Sequence, residues 1–320
     1  MPRSSTRRSA PPPRVALFVD EPDWHTRRLS KALTERGAAV EVTSLRACGL
    51  DTSSAHGLML PGFADALPDG AFVRTVAAGS FEQVTMRLGV LHALRELGVC
   101  VYNDARAIER CVDKSMTSFC LQRAGIATPP TWTVESLERA REIVREQVQP
   151  GRPLVMKPLF GSQGRGLRLV HDVASLPAPE ETAGGVWYLQ HYVGSRTAQW
   201  HDWRVFVVGQ RAVAAMVRHG IEWRTNAARG ARCEAAEPEG EIARLAIAAA
   251  DAVGAGYAGV DIIADSDGRL LVLEVNSMPA WKSLQHVSAT DVADALAADF
   301  LKRIGATPVR RRPLRAVASR

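Results

Sequence analysis

The chain has 320 residues, 46% of them hydrophobic, which allows two or three domains with sizeable cores and excludes a small disulfide-stapled module or a disordered polymer. Its formal charge of +6 sits at its ends, +4 on residues 1–14 and +7 on residues 302–320, so the body carries −5 and a folded nucleic-acid platform with a basic face is excluded. Cys48, Cys100, Cys111, Cys120 and Cys233 show no C-x-x-C spacing, Val15–Val19 is too short for a signal-peptide core, and no run nears the roughly 18 apolar residues of a membrane span; a reduced, soluble, cytoplasmic protein with no membrane partner is expected.

Taken in chain order, residues 1–13 are rich in Arg, Pro and Ser and read as a disordered basic tail. Val15–Val19 reads as a strand, followed by a helix to about Arg36 closed by Gly37, and a second strand from Ala39 to Val42. The apolar stretch Leu58–Leu60 and a helix Phe81–Leu97 ending at Gly98 complete an α/β domain over residues 14–112. VDEPDW stands after its first strand where a glycine-rich loop would be needed, so this domain is not a dinucleotide binder. Asp113-Lys114 opens a helix to about Ala124, capped by Gly125, and Ser136–Val148 forms another with Leu137, Ala140, Val144 and Val148 at helical spacing. Residues 154–170, LVMKPLFGSQGRGLRLV, read as strand, glycine loop, strand; Trp187–Val193 is a strand, Trp203–Val208 and Ala212–Val217 form a hairpin at Gly209-Gln210, and Glu241–Val253 is a helix.

The segment 259–276, GVDIIADSDGRLLVLEVN, carries the most chemistry. Asp267-Gly268 between two apolar runs predicts a hairpin, and a two-residue loop makes paired positions sum to 535, which sets Asp261 opposite Glu274. Asn276 lies two residues on and faces the same way. Like charges directly opposite destabilise a sheet, so a positive group is expected between them, and Asp, Glu and Asn oxygens suit a hard cation such as Mg²⁺. The bland alternative is a solvated acidic face; the apolar neighbours Val260, Ile262, Val272, Leu273 and Val275 weigh against it.

The loop Gly161-Ser162-Gln163-Gly164-Arg165-Gly166 is not a P-loop, which needs Lys-Ser or Lys-Thr and then a helix; here Leu167-Arg168 leads into a strand. Bare backbone N–H groups in such a turn can still cover phosphates, and Lys157, four residues before it, is within reach of an anion held there.

Together Asp113-Lys114, Val155-Met156-Lys157, GSQGRG, Leu189–Val193, Asp202-Trp203-Arg204, Arg224-Thr225-Asn226 with Arg229-Gly230, Gly259-Val260-Asp261 and Glu274-Val275-Asn276 resemble, in the right order over residues 70–300, the RimK-like glutamate ligase group of the ATP-grasp family. The resemblance implies an ATP-grasp fold, two α+β subdomains (113–190 and 191–303) gripping ATP behind the N-terminal α/β pre-ATP-grasp domain, with a second disordered tail over 304–320. It implies ATP and Mg²⁺ as cofactors, Mn²⁺ as a substitute, glutamate as the amine, a carboxylate acceptor, and homo-oligomerisation. The reaction implied is activation of that carboxylate as an acyl phosphate and its capture by the amine, with release of ADP and phosphate.

By position, Lys114 and Lys157 hold the phosphates under the lid Gly161, Ser162, Gln163, Gly164 and Gly166. Gln190, His191, Tyr192 and Val193 meet adenine, Asp202 the ribose, Arg224 joins the nucleotide contacts, and Asp261, Glu274 and Asn276 ligate Mg²⁺. Arg204, Arg229 and Asn226 grip the acyl phosphate or acidic substrate, while Arg218 ranks below them, as readily a surface ion-pair partner. Two departures bear on substrate: His191 replaces the usual Glu, and RHGIEWRTN after Val217 is shorter than in ribosomal-protein-modifying members. The texture of KPLFGSQGRG leans toward the tetrahydromethanopterin-type branch, with ligases of ribosomal or amino-group carrier proteins as the alternative. A non-catalytic nucleotide-binding module and a basic-tailed RNA partner stay open as other classes.

Overall fold

The structure, a computed structural model, describes residues 11–161, 164–194, 200–220, 222–223, 225 and 230–306. Of the expected site residues, Ser162, Gln163, Arg224, Asn226 and Arg229 lie outside them, as do most of both basic tails. The chain forms two compact units, Met1–Tyr102 with Leu296–Arg320, and Asn103–Ala295.

In the first unit the order is β1 (Arg14–Phe18), α1 (Trp24–Glu35), β2 (Ala39–Thr43), the short pair β3 (Gly49–Leu50) and β4 (Leu58–Met59), β5 (Gly70–Val73), α2 (Phe81–Glu96) and β6 (Cys100–Tyr102). The strands β2-β1-β5-β6 form one parallel sheet, which accounts for the continuous apolar runs of β1 and β5. Capping boxes at Asp23 with Thr26 and at Ser80 with Gln83 start the two helices.

The second unit runs α3 (Ala105–Val112), α4 (Lys114–Arg123), β7 (Thr131–Val134), α5 (Leu137–Gln147), β8 (Leu154–Lys157), β9 (Arg168–Val170), β10 (Trp187–His191), β11 (Trp200–Val208), β12 (Arg211–Gly220), β13 (Arg232–Ala236), α6 (Gly240–Val253), β14 (Tyr257–Ala264), β15 (Leu270–Asn276) and α7 (Lys282–Val287), with α8 (Val292–Ala306) crossing into the first. A four-stranded sheet of order β7-β10-β8-β9 is backed by α5, whose Ala140, Ile143 and Val144 share a core with Leu154, Met156, Trp187 and Leu189. A five-stranded antiparallel sheet, β13-β12-β11-β14-β15, is backed by α6, whose Ala246, Ala249 and Val253 share a core with Val205, Val207, Val260, Ile262 and Val275. Side chains alternate across a strand, so the residues between these core positions face the opposite side of each sheet.

The grouping departs from the expected division at residues 103–112 and 296–303. Asn103, 1% exposed, donates to the carbonyls of Tyr257 (2.8 Å) and Ser277 (2.6 Å) and accepts from the amides of Gly256 (2.6 Å) and Tyr257 (3.2 Å), which fastens this segment to β14. Phe300 of α8 stacks on Tyr102 at 5.6 Å and meets Phe72 edge-on at 5.3 Å.

The β14–β15 hairpin corrects the predicted turn while keeping its pairing. The loop is three residues, Ser266-Asp267-Gly268, closed by the Asp265 amide on the Arg269 carbonyl (2.9 Å), with Gly268 at φ 80°. Pairs near the turn, such as Ile262 with Val272, are shifted by one residue; an irregularity between Asp261 and Ile262 absorbs the shift and restores Asp261 opposite Glu274.

Candidate active site

Three features of α4 and its surroundings place the first cation. Asp113 caps the helix, accepting from the Ser115 (2.8 Å) and Met116 (3.2 Å) amides, so Lys114 becomes its first residue. The Lys114 ammonium donates to the Gly161 (2.9 Å) and Leu159 (3.4 Å) carbonyls and so tethers the start of the glycine loop. At its far end Gly166 sits at φ 73°, where a Cβ would come 2.7 Å from Pro158 Cγ. Burial lowers the Lys114 pKa, against the pull of Glu274 and Asp113.

Lys157 ends β8, and its ammonium donates to Gln190 Oε1 at 2.6 Å. Burial pushes it down to about 8, with Glu274 opposing and Lys114 assisting that shift. Both lysines line a cleft between the two sheets of the second unit. Gly161, Gly164, Gln190, His191, Tyr192, Val193, Asp202, Asp261 and Glu274 also line it, and Arg218 joins them. Gly166, Arg204 and Asn276 are not among the lining residues; Asn276 pairs with Gly259, two positions along from Glu274. The side chain of His191 lies against Trp132, ring centroids 5.1 Å apart, and neighbouring positions of this strand alternate in direction, with Gln190 turned to Lys157.

The far wall is a ladder of charge across four strands. Asp202 is the cross-strand partner of Arg218, Arg204 of Asp261, and Asp261 of Glu274. The Arg218 guanidinium grips Asp202 through both oxygens, Nε to Oδ1 at 2.8 Å and Nη2 to Oδ2, and reaches Asp261 Oδ1 at 3.1 Å. Arg204 holds the same Asp261 through Nε to Oδ1 and Nη2 to Oδ2 (2.8 Å). Burial would raise the Asp261 pKa, but Arg204 and Arg218 outweigh it and hold the carboxyl below its ordinary value. Burial likewise opposes the charge on Arg218, which Asp261 and Asp202 more than restore.

Asp261 thus has guanidinium partners in Arg204 and Arg218. Asp202, expected at a ribose, lines the cleft and is gripped by Arg218, with Thr225 adding a hydrogen bond. Arg218, set aside on sequence, is central. Its pairing was hidden because a two-residue turn at Gly209-Gln210 puts Val217 opposite Asp202, and an irregularity between Phe206 and Val207 moves Arg218 there.

An all-oxygen set of Asp261, Glu274 and Asn276 fits a hard divalent cation in donor chemistry. Among the described residues no cluster of three His, Cys, Asp or Glu side chains could hold a metal, so such an ion needs the Asn276 amide, nucleotide oxygens or water to complete its shell.

Two lysines, one at the end of β8 and one at the start of α4, stand opposite carboxylates and guanidiniums of the facing sheet, with a glycine turn tethered beside them; this arrangement is not a P-loop. The RimK-like ATP-grasp domain family matches residues 111–300. Tetrahydromethanopterin:α-L-glutamate ligase of Methanococcus maripaludis (strain S2) is 36% identical over 231 residues, covering 71% of this chain and 76% of the relative. The probable α-L-glutamate ligase of Cellvibrio japonicus is 31% identical over 287 residues, covering 86% and 90%. Among solved structures, ATP-grasp ligase PsnB with a precursor variant, Mg and ADP superposes with TM-score 0.70 at 22% identity over 91% of this chain and 98% of that one, which shows the shared fold. The chain belongs to the RimK-like ATP-grasp ligase family and is an ADP-forming carboxylate–amine ligase.

Proposed function

We propose that the protein joins L-glutamate, through its amine, to the carboxylate of a small-molecule cofactor of the tetrahydromethanopterin kind. Relatives at 36% and 35% identity, and one at 30% over 316 residues, carry that name, which supports the acceptor class; others, such as that of Cellvibrio japonicus, are named for glutamate alone. The observation that carries the chemistry is the pairing of Asp261 with Glu274 in the same cleft as Lys114 and Lys157.

In this reading the acceptor carboxylate oxygen attacks the γ-phosphorus of ATP and ADP leaves. The glutamate amine then attacks the acyl carbon, phosphate leaves, and the amine's proton passes to solvent. Lys114 and Lys157 hold phosphate oxygens, while Arg204 and Arg218 supply planar donors for the acyl phosphate. Asp261, Glu274 and Asn276 would hold a magnesium ion, which would supply further charge neutralisation at the phosphates. A binding-only role is disfavoured, because it has no use for two half-buried lysines facing two carboxylates.

Glu274→Gln is the test. It is expected to abolish ADP formation, a loss of about 10²-fold or more, without lowering the melting temperature. Wild-type turnover in this variant would sink the assignment.

A further inference from the structure

The side chain of Gln190 is 1% exposed and fully committed. Its amide nitrogen donates to Thr131 Oγ1 (3.1 Å) and to the Tyr188 hydroxyl (3.2 Å), while its oxygen accepts from the Lys157 ammonium. Each anchor is itself held: Thr131 Oγ1 donates to the Pro129 carbonyl (2.9 Å), and the Tyr188 hydroxyl shares a hydrogen bond with Ser118 Oγ (2.9 Å). Four elements thus converge on one amide: α4 through Ser118, β7 through Thr131, β10 through Tyr188 and Gln190, and β8 through Lys157. The network also fixes which way the amide points, since the flipped orientation would set an NH₂ group against an ammonium.

We propose that Gln190 is a positioning residue for Lys157, holding the ammonium with a neutral acceptor so that its charge stays available to a phosphate. A carboxylate at 190 would orient the lysine equally well but would satisfy its charge, and a phosphate would then have to compete with a buried ion pair. Because the side chain is spent on Lys157, any contact of Gln190 itself with a nucleotide base falls to its main chain. The role rests on the ATP-ligase reading and adds to the expectation that the segment from Gln190 to Val193 meets adenine.

The test compares equilibrium binding of ATP and of adenosine, which lacks phosphates, to the wild-type chain and to Gln190→Glu. ATP binding is expected to weaken about tenfold or more, with adenosine changed less than about twofold. Thr131→Val, which keeps side-chain volume and removes one anchor of the amide, is expected to show the same selectivity at about threefold. Equal weakening of both ligands in these variants, as for a base contact, overturns the proposal, and so does no weakening of either. Wild-type protein that binds no ATP overturns the ligase reading itself and this role with it.

Discussion

Two buried residues in the cleft respond to protons and to substitution in opposite senses. The Lys157 value of about 8 lies below its ordinary 10.5, so the unfolded chain binds more protons between those limits. The cost of burying the charged lysine is fully present below about 8 and is relieved as pH rises toward 10.5, so this residue makes stability rise with pH across that window. Phosphate binding requires the charged form and runs the other way. ATP binding near pH 8.5 is therefore expected to take up protons, read by calorimetry in two buffers of different ionisation enthalpy, and Lys157→Met to remove the effect; buffer-independent heats would contradict it. Asp261 is different: removing its carboxylate takes away the partner of Arg204 and leaves Arg218 with Asp202 alone, so Asp261→Ala is expected to cost about 3–5 kcal/mol by denaturant unfolding as well as activity. An unfolding midpoint equal to wild type would show that those ion pairs add nothing. For this reason Glu274, not Asp261, is the cleaner probe of chemistry.

At the scale of elements, the site depends on register. Asp261 and Glu274 were legible in the sequence because a turn signal and alternating side chains fix their pairing, and the three-residue loop and the irregularity happen to cancel. Arg218 was not legible, since one uncompensated irregularity in β11–β12 swaps the face that meets Asp202. Lys114 was legible as a cap-adjacent residue, whereas its tether to Gly161 is a contact between segments distant in sequence that no local pattern encodes. Gly259 shows how closely the strand is fitted: a Cβ there would lie 2.8 Å from Pro279 Cβ and 3.1 Å from Arg204 Nη1. Gly259→Ala is expected to displace Arg204 and lower kcat about tenfold or more while shifting stability by about 1–3 kcal/mol. Unchanged kcat would mean that Arg204 does not act from this position.

For the molecule as a whole, hydrophobic period and turn residues mark β1, β2, the helices α1, α2, α4, α5 and α6 and the hairpins β11–β12 and β14–β15, whereas the short strands β5, β6, β7 and β13 and the helices α3, α7 and α8 were not read from the sequence. The unit boundary was not legible either, because Asn103 and Phe300 are assigned by hydrogen bonds and ring contacts with residues far along the chain. The acceptor is equally absent from local pattern, since the residues that would read it include Arg224, Asn226 and Arg229, outside the described residues. The central claim, ATP-driven ligation of glutamate, is tested most directly by incubating the wild-type chain with ATP, Mg²⁺, isotopically labelled L-glutamate and a panel of pterin-type and other carboxylates, following ADP and product mass together. The expected result is one ADP released per labelled glutamate incorporated, and no ADP when either glutamate or the carboxylate is left out. ADP release that neither substrate influences, with no labelled product, would contradict it.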